Sequence, residues 1–294
     1  MNQVAVVDLP DLAGRTAVVT GANSGLGLAT ARAMAEAGAH VILAVRTPTK
    51  GERAVRNLRG SYEVRRLDLA DLNSVRMFAD NVDRPFDLLI NNAGVMALPE
   101  CRTADGFEMH MGTNHLGHFA LTCLLLDRIS GRVVTVSSMW HRFGRIRLDD
   151  LNFDKPHSYE RWAAYSQSKL ANLLFTAELQ HRLSSAGSKV SAVAAHPGWA
   201  STELQRHSEN RLLGTTMRLG NRFVAQSATM GAGPILFAAT GGVPRGSFSG
   251  PNKLAGLRGS PTLVGQSKRA RDMAVAAKLW ALSEELTGVR LTHP

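Results

Sequence analysis

Cysteine is nearly missing from this chain: only Cys101 and Cys123 occur in 294 residues, and they form no Cys-x-x-Cys pair. That excludes a disulfide framework and a zinc knuckle, and fits a reducing compartment. Long apolar runs are missing too. The longest, Phe119 to Leu126 with Thr122 inside it, falls far short of the ~20 residues that cross a bilayer. The opening Met-Asn-Gln-Val-Ala-Val-Val-Asp lacks the basic segment and apolar core of a secretion signal. No Pro/Ser-rich linker and no abrupt change of composition divides the chain. These absences point to a soluble, cytoplasmic protein without a membrane anchor, built as a single domain over residues 1–294.

Negative charge is the scarcer sign, with 24 Asp+Glu against 34 Lys+Arg, and the last third, from Ser201 to Pro294, holds 12 basic and 5 acidic residues. Such a balance raises nucleic acid or anionic lipid as a partner. The cations are scattered, however, with only Lys268-Arg269-Ala-Arg271 close together. No aromatic residues alternate with them as a stacking platform for bases requires. The reading is a solvated basic surface and no nucleic acid.

What is present is alternation. Short apolar runs (Thr16 to Thr20, Val41 to Val45, Tyr62 to Leu67, Leu88 to Ile90, Val133 to Val136, Val190 to Ala195) alternate with helix-period segments near 25–37, 48–59, 72–82, 111–126 and 159–183. Strands apolar on both faces and separated by helices predict an α/β protein, a doubly wound Rossmann-type parallel sheet covered on both sides. Residues 14–196 are read as the dinucleotide-binding and catalytic core. Beyond Pro197 the pattern loosens, and residues 197–261 are read as a substrate loop or lid with a C-terminal extension, containing a helix near 227–239 and a Gly/Pro-rich stretch from Gly241 to Pro261. A final helix ends at Leu286-Thr-Gly288.

The first strand runs into Gly21-Ala-Asn23-Ser24-Gly25-Leu26-Gly27 and then a helix. Glycines there let the backbone turn sharply and offer its N–H groups to a phosphate. The second strand ends at Val45-Arg46 with no carboxylate. A basic residue at that point neutralises a 2′-phosphate, so NADP(H) is favoured and NAD(H) is left open. Further along, Tyr165-Ser-Gln-Ser-Lys169 sets a phenol and an ammonium on one helical face. A tyrosine titrates near ~10, so a neighbouring cation is what brings it toward use at neutral pH.

Together these residues resemble the short-chain dehydrogenase/reductase family over nearly the whole chain. The resemblance implies an enzyme, a carbonyl/alcohol oxidoreductase with Asn114, Ser138, Tyr165 and Lys169 as its catalytic set. Tyr165 is then the proton donor or acceptor, Ser138 the group that polarises the substrate oxygen, Lys169 the cation that lowers the tyrosine pKa and holds the nicotinamide ribose, and Asn114 the holder of a relay water. It implies cofactor contacts from the glycine loop, from Asp68 and Leu69 after the third strand, from Asn92-Ala93-Gly94, and from Pro197, Gly198 and Thr202. The separation of Ser138 from Tyr165 and the run Ser168-Lys-Leu-Ala-Asn-Leu-Leu-Phe175 are most similar to the retinol dehydrogenase and WW-domain oxidoreductase branch. The apolar amino-terminal anchor of its vertebrate members is not found here, so membrane attachment and retinoid specificity are not carried over. Met96, Met139, Trp140 and Trp199 follow strand-end motifs and are candidates to line an apolar substrate pocket. Helices near 111–126 and 159–183 match those that pair subunits in many members, so a homo-oligomer is expected. His110, His115 and His118 lie close in sequence, but no acid or thiol completes a metal set. A carbon–carbon double-bond reductase resembling protochlorophyllide reductase, and a regulator that senses the dinucleotide without turnover, are the competing readings.

Overall fold

Eight strands form one sheet in the order β3-β2-β1-β4-β5-β6-β7-β8. The computed structural model describes residues 8–199 and 227–291. The strands are β1 (Thr16–Thr20), β2 (His40–Val45), β3 (Ser61–Arg66), β4 (Phe86–Asn91), β5 (Ile129–Val136), β6 (Ser191–Ala195), β7 (Phe248–Lys253) and β8 (Arg258–Leu263). The first seven are parallel, while β8 returns antiparallel at the edge. Between them lie α1 (Gly25–Glu36), α2 (Pro48–Val55), α3 (Leu72–Asp80), α4 (Gly117–Leu125), α5 (Arg161–Ser185), α6 (Ala228–Thr240) and α7 (Met273–Thr287).

The period of two along each strand splits the core cleanly. Val18, Ile42, Leu89 and Val133 point to the face covered by α3, α4, α5 and α7. Their neighbours Val19, Leu43, Ile90 and Val134 point to the other face, against α1 and α6. Because strand order reverses between β1 and β4, the crevice above their carboxyl ends is the natural ligand site of such a sheet.

Several expectations are corrected. The helix predicted to run from 48 to 59 stops at Val55, ahead of Gly60, whose φ of +110° no helix accommodates. The segment from Met111 is not one α-helix: Met111–Leu116 is a π-helical turn, followed by α4 and a 3-10 turn at Leu126–Arg128. Helix α5 begins at Arg161 because the Glu160 carboxylate accepts from Trp162 N at 3.0 Å and Ala163 N at 2.6 Å.

The Gly/Pro-rich stretch from 241 to 261 holds β7 and most of β8, two strands the sequence pattern hid. Pro251 and Pro261 sit opposite each other in their ladder, where an edge strand tolerates residues without an N–H. Helix α6 packs on the sheet as well, whereas Asn252 to Ala255, where β7 turns into β8, are exposed. The helix faces that the resemblance assigned to subunit pairing are partly covered from within. Trp280 of α7 lies against Phe119 of α4, centroids 4.9 Å apart, and stacks on Phe175 of α5 at 5.8 Å and 11°. No described helix is long and apolar enough to cross a membrane.

Candidate active site

The glycine loop leaves β1 and enters α1 with no room for a side chain at Gly21 or Gly27. Gly21 has φ +65°, and a Cβ on it would stand 2.9 Å from Ala93 Cα; one on Gly27 would stand 2.4 Å from the Gly21 carbonyl oxygen. Thr20 ties the loop to the end of β4. Its hydroxyl oxygen accepts from Asn92 N and Ala93 N, both at 2.9 Å, while Asn92 Nδ2 donates to Thr20 O at 2.8 Å. At the start of α1 the Ser24 side chain makes no capping hydrogen bond and the first turn carries no acid. Its N–H groups and the positive end of the helix dipole are therefore available to a phosphate.

On the opposite side, α5 presents Tyr165 and Lys169 one turn apart. The Lys169 ammonium donates to Val136 O at 3.2 Å, and lies 5.8 Å from the centre of the Tyr165 ring. Ser138 lies two residues beyond β5, with its side chain near enough to the Tyr165 oxygen to favour the phenolate. Asn114 comes from the π-helical turn, which directs it at the β4 loop. Its Oδ1 accepts from Val95 N at 2.7 Å, and its Nδ2 donates to Val95 O at 3.0 Å and Ser168 Oγ at 2.9 Å. A Cβ on Gly94 would lie 3.0 Å from Asn114 Oδ1 and 3.4 Å from Lys169 Nζ, so Asn114, Lys169 and Gly94 meet at one point. The Asn114 side chain thus uses both its donors and one acceptor position on protein groups.

Burial opposes charge on both α5 residues. It pushes the Tyr165 phenol up to about 12, with the Ser138 hydrogen bond working against it, and pulls the Lys169 ammonium down to about 8. Desolvation is the larger of the two causes at Tyr165, so the phenol sits above its ordinary range.

The remaining candidates divide. Asp68 is half-buried and its Oδ1 accepts from Ala70 N at 3.0 Å. Leu69 packs under Gly117. Arg46 is exposed beside Thr47, the residue that precedes α2, and makes no ion pair among the described residues. Pro197 and Gly198 follow β6, with Gly198 N donating to His196 Nδ1 at 3.2 Å. Thr202 lies outside the described residues. Met139 lines a cavity of about 300 Å³ with His141, His196, Phe248, Pro251 and Val264. Met96, Trp140 and Trp199 do not line that cavity; Trp140 turns instead to Trp162, their ring centres 4.5 Å apart.

With this geometry in view, the comparisons decide the family. The profile of the short chain dehydrogenases matches residues 15–149. The chain is 44% identical over 294 residues to retinol dehydrogenase 12 of Homo sapiens, covering 95% of this chain and 88% of that protein. It is 41% identical to retinol dehydrogenase 13 of Homo sapiens, covering 94% and 85%. This chain belongs to the short-chain dehydrogenase/reductase family. Among solved structures, an uncharacterised protein of Mycobacterium paratuberculosis is 53% identical with a TM-score of 0.86 over 99% of each chain. A protein described as an NAD(P)-dependent gluconate 5-dehydrogenase of Beutenbergia cavernae, solved with bound NADP, is 30% identical with a TM-score of 0.59, covering 79% of this chain and 91% of that one.

Members of this oxidoreductase family bind NAD(P)(H), and the residues present suit such a group. The close-packed glycine loop, the uncapped start of α1 and a Lys169 ammonium with a single acceptor among the described residues are what a dinucleotide diphosphate and ribose require. Sequence reasoning weighed His118 only as a metal ligand and did not see its place beside the site. Its Nδ1 donates to the Asn114 carbonyl at 3.0 Å, so Nε2 carries no proton and accepts a hydrogen bond from the Thr20 hydroxyl at 2.9 Å. The imidazole thereby joins the glycine loop to the turn that carries Asn114, and burial holds it neutral, near about 4. His115 turns away to Ser283. The spacing His115-x-x-His118 was visible in the sequence, but only the fold shows that the two rings serve different partners.

Proposed function

We propose that this protein is an NADP(H)-dependent oxidoreductase that interconverts a carbonyl and an alcohol on a fairly apolar substrate, with Tyr165 as proton donor and acceptor. The observation that carries the reading is the convergence of Ser138, Tyr165, Lys169 and Gly94 above the carboxyl ends of β4 and β5. When bound, the reduced nicotinamide supplies a hydride. Everything else falls to the chain. A carbonyl oxygen bound beside the phenol would be protonated by Tyr165 and polarised by Ser138, whose hydroxyl lies by the tyrosine. Lys169 holds positive charge beside that phenol and has protons left for ribose hydroxyls. Asn114 acts as a positioning residue, pinning the Val95 backbone to α5 through Ser168.

The retinol dehydrogenases it resembles support an alcohol or aldehyde chemistry, and the exposed Arg46 supports the phosphorylated dinucleotide. Replacing Tyr165 by Phe removes only the hydroxyl, so turnover is expected to fall at least ~100-fold, the lower end of general acid–base contributions, while NADPH affinity changes less than about threefold. Turnover near that of the wild type in Tyr165→Phe would reject the assignment. Product analysis separates this chemistry from reduction of a carbon–carbon double bond, because only the former yields an alcohol from a ketone.

A further inference from the structure

Two of the aromatic clusters among the described residues are treated differently by the fold. Phe119, Phe175 and Trp280 form one inside the core, all three buried, with the Trp280 indole N–H donating to Glu284 at 2.8 Å. The other lies at the active site and is left partly open. There Tyr165 is 8% exposed and Phe143 is 73% exposed, with the half-buried Trp162 and Trp140 between them. The contacts are continuous: Tyr165 to Trp162 at 6.4 Å and 83°, Trp162 to Trp140 at 4.5 Å and 21°, Trp140 to Phe143 at 5.5 Å and 56°.

Both indoles are fixed to catalytic residues. Trp162 lies one helical turn before Tyr165, on the same face of α5. Trp140 lies two residues after Ser138, and its backbone N–H donates to Ser138 Oγ at 3.3 Å. The rings are not needed to hold either element. Glu160 caps α5, and the turn at 139–144 is closed by its own backbone through Phe143 N to Trp140 O and Gly144 N to His141 O. Neither indole N–H finds an acceptor among the described residues, unlike that of Trp280. Large apolar rings left at a surface beside a catalytic centre mark a ligand site.

We propose that Phe143, Trp140 and Trp162 form a stacking subsite for a flat conjugated ring system attached to the reacting carbon. On this inference, which rests on the oxidoreductase reading above, the substrates are aryl ketones or aldehydes and their carbinols. A planar π-system can lie against an indole face at van der Waals distance and match its quadrupole. A saturated ring of the same carbon count is thicker and has no such face. The stacked pair is rigid, since each indole has only two side-chain torsions and each is pressed on the other.

The test compares 2-acetylnaphthalene with the fully saturated methyl ketone of the same skeleton, using NADPH and NADH in turn. The wild type is expected to favour the aryl ketone by tenfold or more in kcat/KM, expressed mainly in KM. That ratio should fall toward one in Trp140→Leu and in Trp162→Leu, and be largely kept in Trp140→Tyr. Thermal unfolding of each variant separates misfolding from lost recognition. A wild-type ratio near one, or an equal loss on both ketones in folded variants, overturns the proposal. If neither ketone turns over with either cofactor, the oxidoreductase reading fails for this substrate type, and the subsite is judged by calorimetry. In that case tenfold tighter binding of the aryl ketone by the wild type supports the subsite, and equal affinity overturns it.

Discussion

Tyr165 and Lys169 are both inside the protein, and burial moves their titrations apart: the phenol up to about 12, the ammonium down to about 8. A phenol at that value stays protonated throughout the neutral range, which suits a proton donor for carbonyl reduction. The reverse reaction needs the phenolate. Alcohol oxidation is therefore expected to rise with pH, close to tenfold per unit below the tyrosine pKa, and to bend near pH 8 as Lys169 loses its charge. Reduction is expected to be flat from pH 6 to 7.5 and to fall above 8. Profiles of kcat/KM in both directions check this, and an oxidation rate independent of pH would remove Tyr165 from the proton path. At Arg46 the argument is one of charge. An exposed guanidinium at the end of β2 is free to bind a 2′-phosphate, a charge-assisted contact of ~1–3 kcal/mol. The double change Val45→Asp with Arg46→Asp is expected to shift the kcat/KM ratio toward NADH by roughly tenfold or more. A wild type that already prefers NADH, or a ratio that does not move, makes Arg46 a surface residue only.

At the scale of elements, the π-helical turn and α7 shape the site from behind. The wide turn at Met111–Leu116 points Asn114 at Val95, and π-bulges recur where a helix must redirect a functional side chain. Helix α7 covers part of the outer faces of α4 and α5. Trp280 is its anchor, 2% exposed, stacked on Phe175 and crossed by the Arg182 guanidinium at 4.5 Å. Removing that ring leaves a cavity against two aromatic partners, so Trp280→Ala is expected to cost ~3–5 kcal/mol in unfolding free energy. Urea denaturation measures it. A loss below about 1 kcal/mol would mean that α7 is not part of the cooperative core, although Phe119 and Phe175 point to it.

For the whole molecule, acid stability follows from buried imidazoles. Burial holds His115 down to about 3 and His118 and His196 down to about 4, where the unfolded chain titrates near 6.5. The unfolded state thus binds more protons than the native state between those values. Stability from these groups is complete above pH 6.5 and is lost as pH falls toward 4. The carboxylates held low by Arg65 at Glu63 and, against burial, by Thr16 N and Arg15 at Asp87 act at lower pH, where unfolded carboxylates begin to titrate. Urea midpoints at pH 7.5, 6.5, 5.5 and 4.5 should therefore be level over the first interval and drop over the last two. His196→Asn should flatten that drop. A midpoint unchanged down to pH 4.5 would show that these rings are protonated in the native state at no cost.

Sequence alone determined the alternation of strands and helices, the glycine loop, the Tyr165 and Lys169 pair and the basic end of β2, because each is a local pattern with a short-range physical cause. Period two or 3.6, a turn without room for Cβ, and a fixed helical spacing are all written within a few residues. Tertiary structure decided the rest. β7 and β8 were hidden because prolines signal a turn unless they face each other at a sheet edge, which is a property of pairing and not of either segment. The raised tyrosine pKa depends on how much chain is packed over it. His118 acquired its place only when β1, 98 residues earlier, came within hydrogen-bond reach. Trp162 likewise joined Trp140 only when α5 was laid beside the turn after β5. Long-range contacts such as these carry no local period, so nothing in the neighbouring residues could announce them.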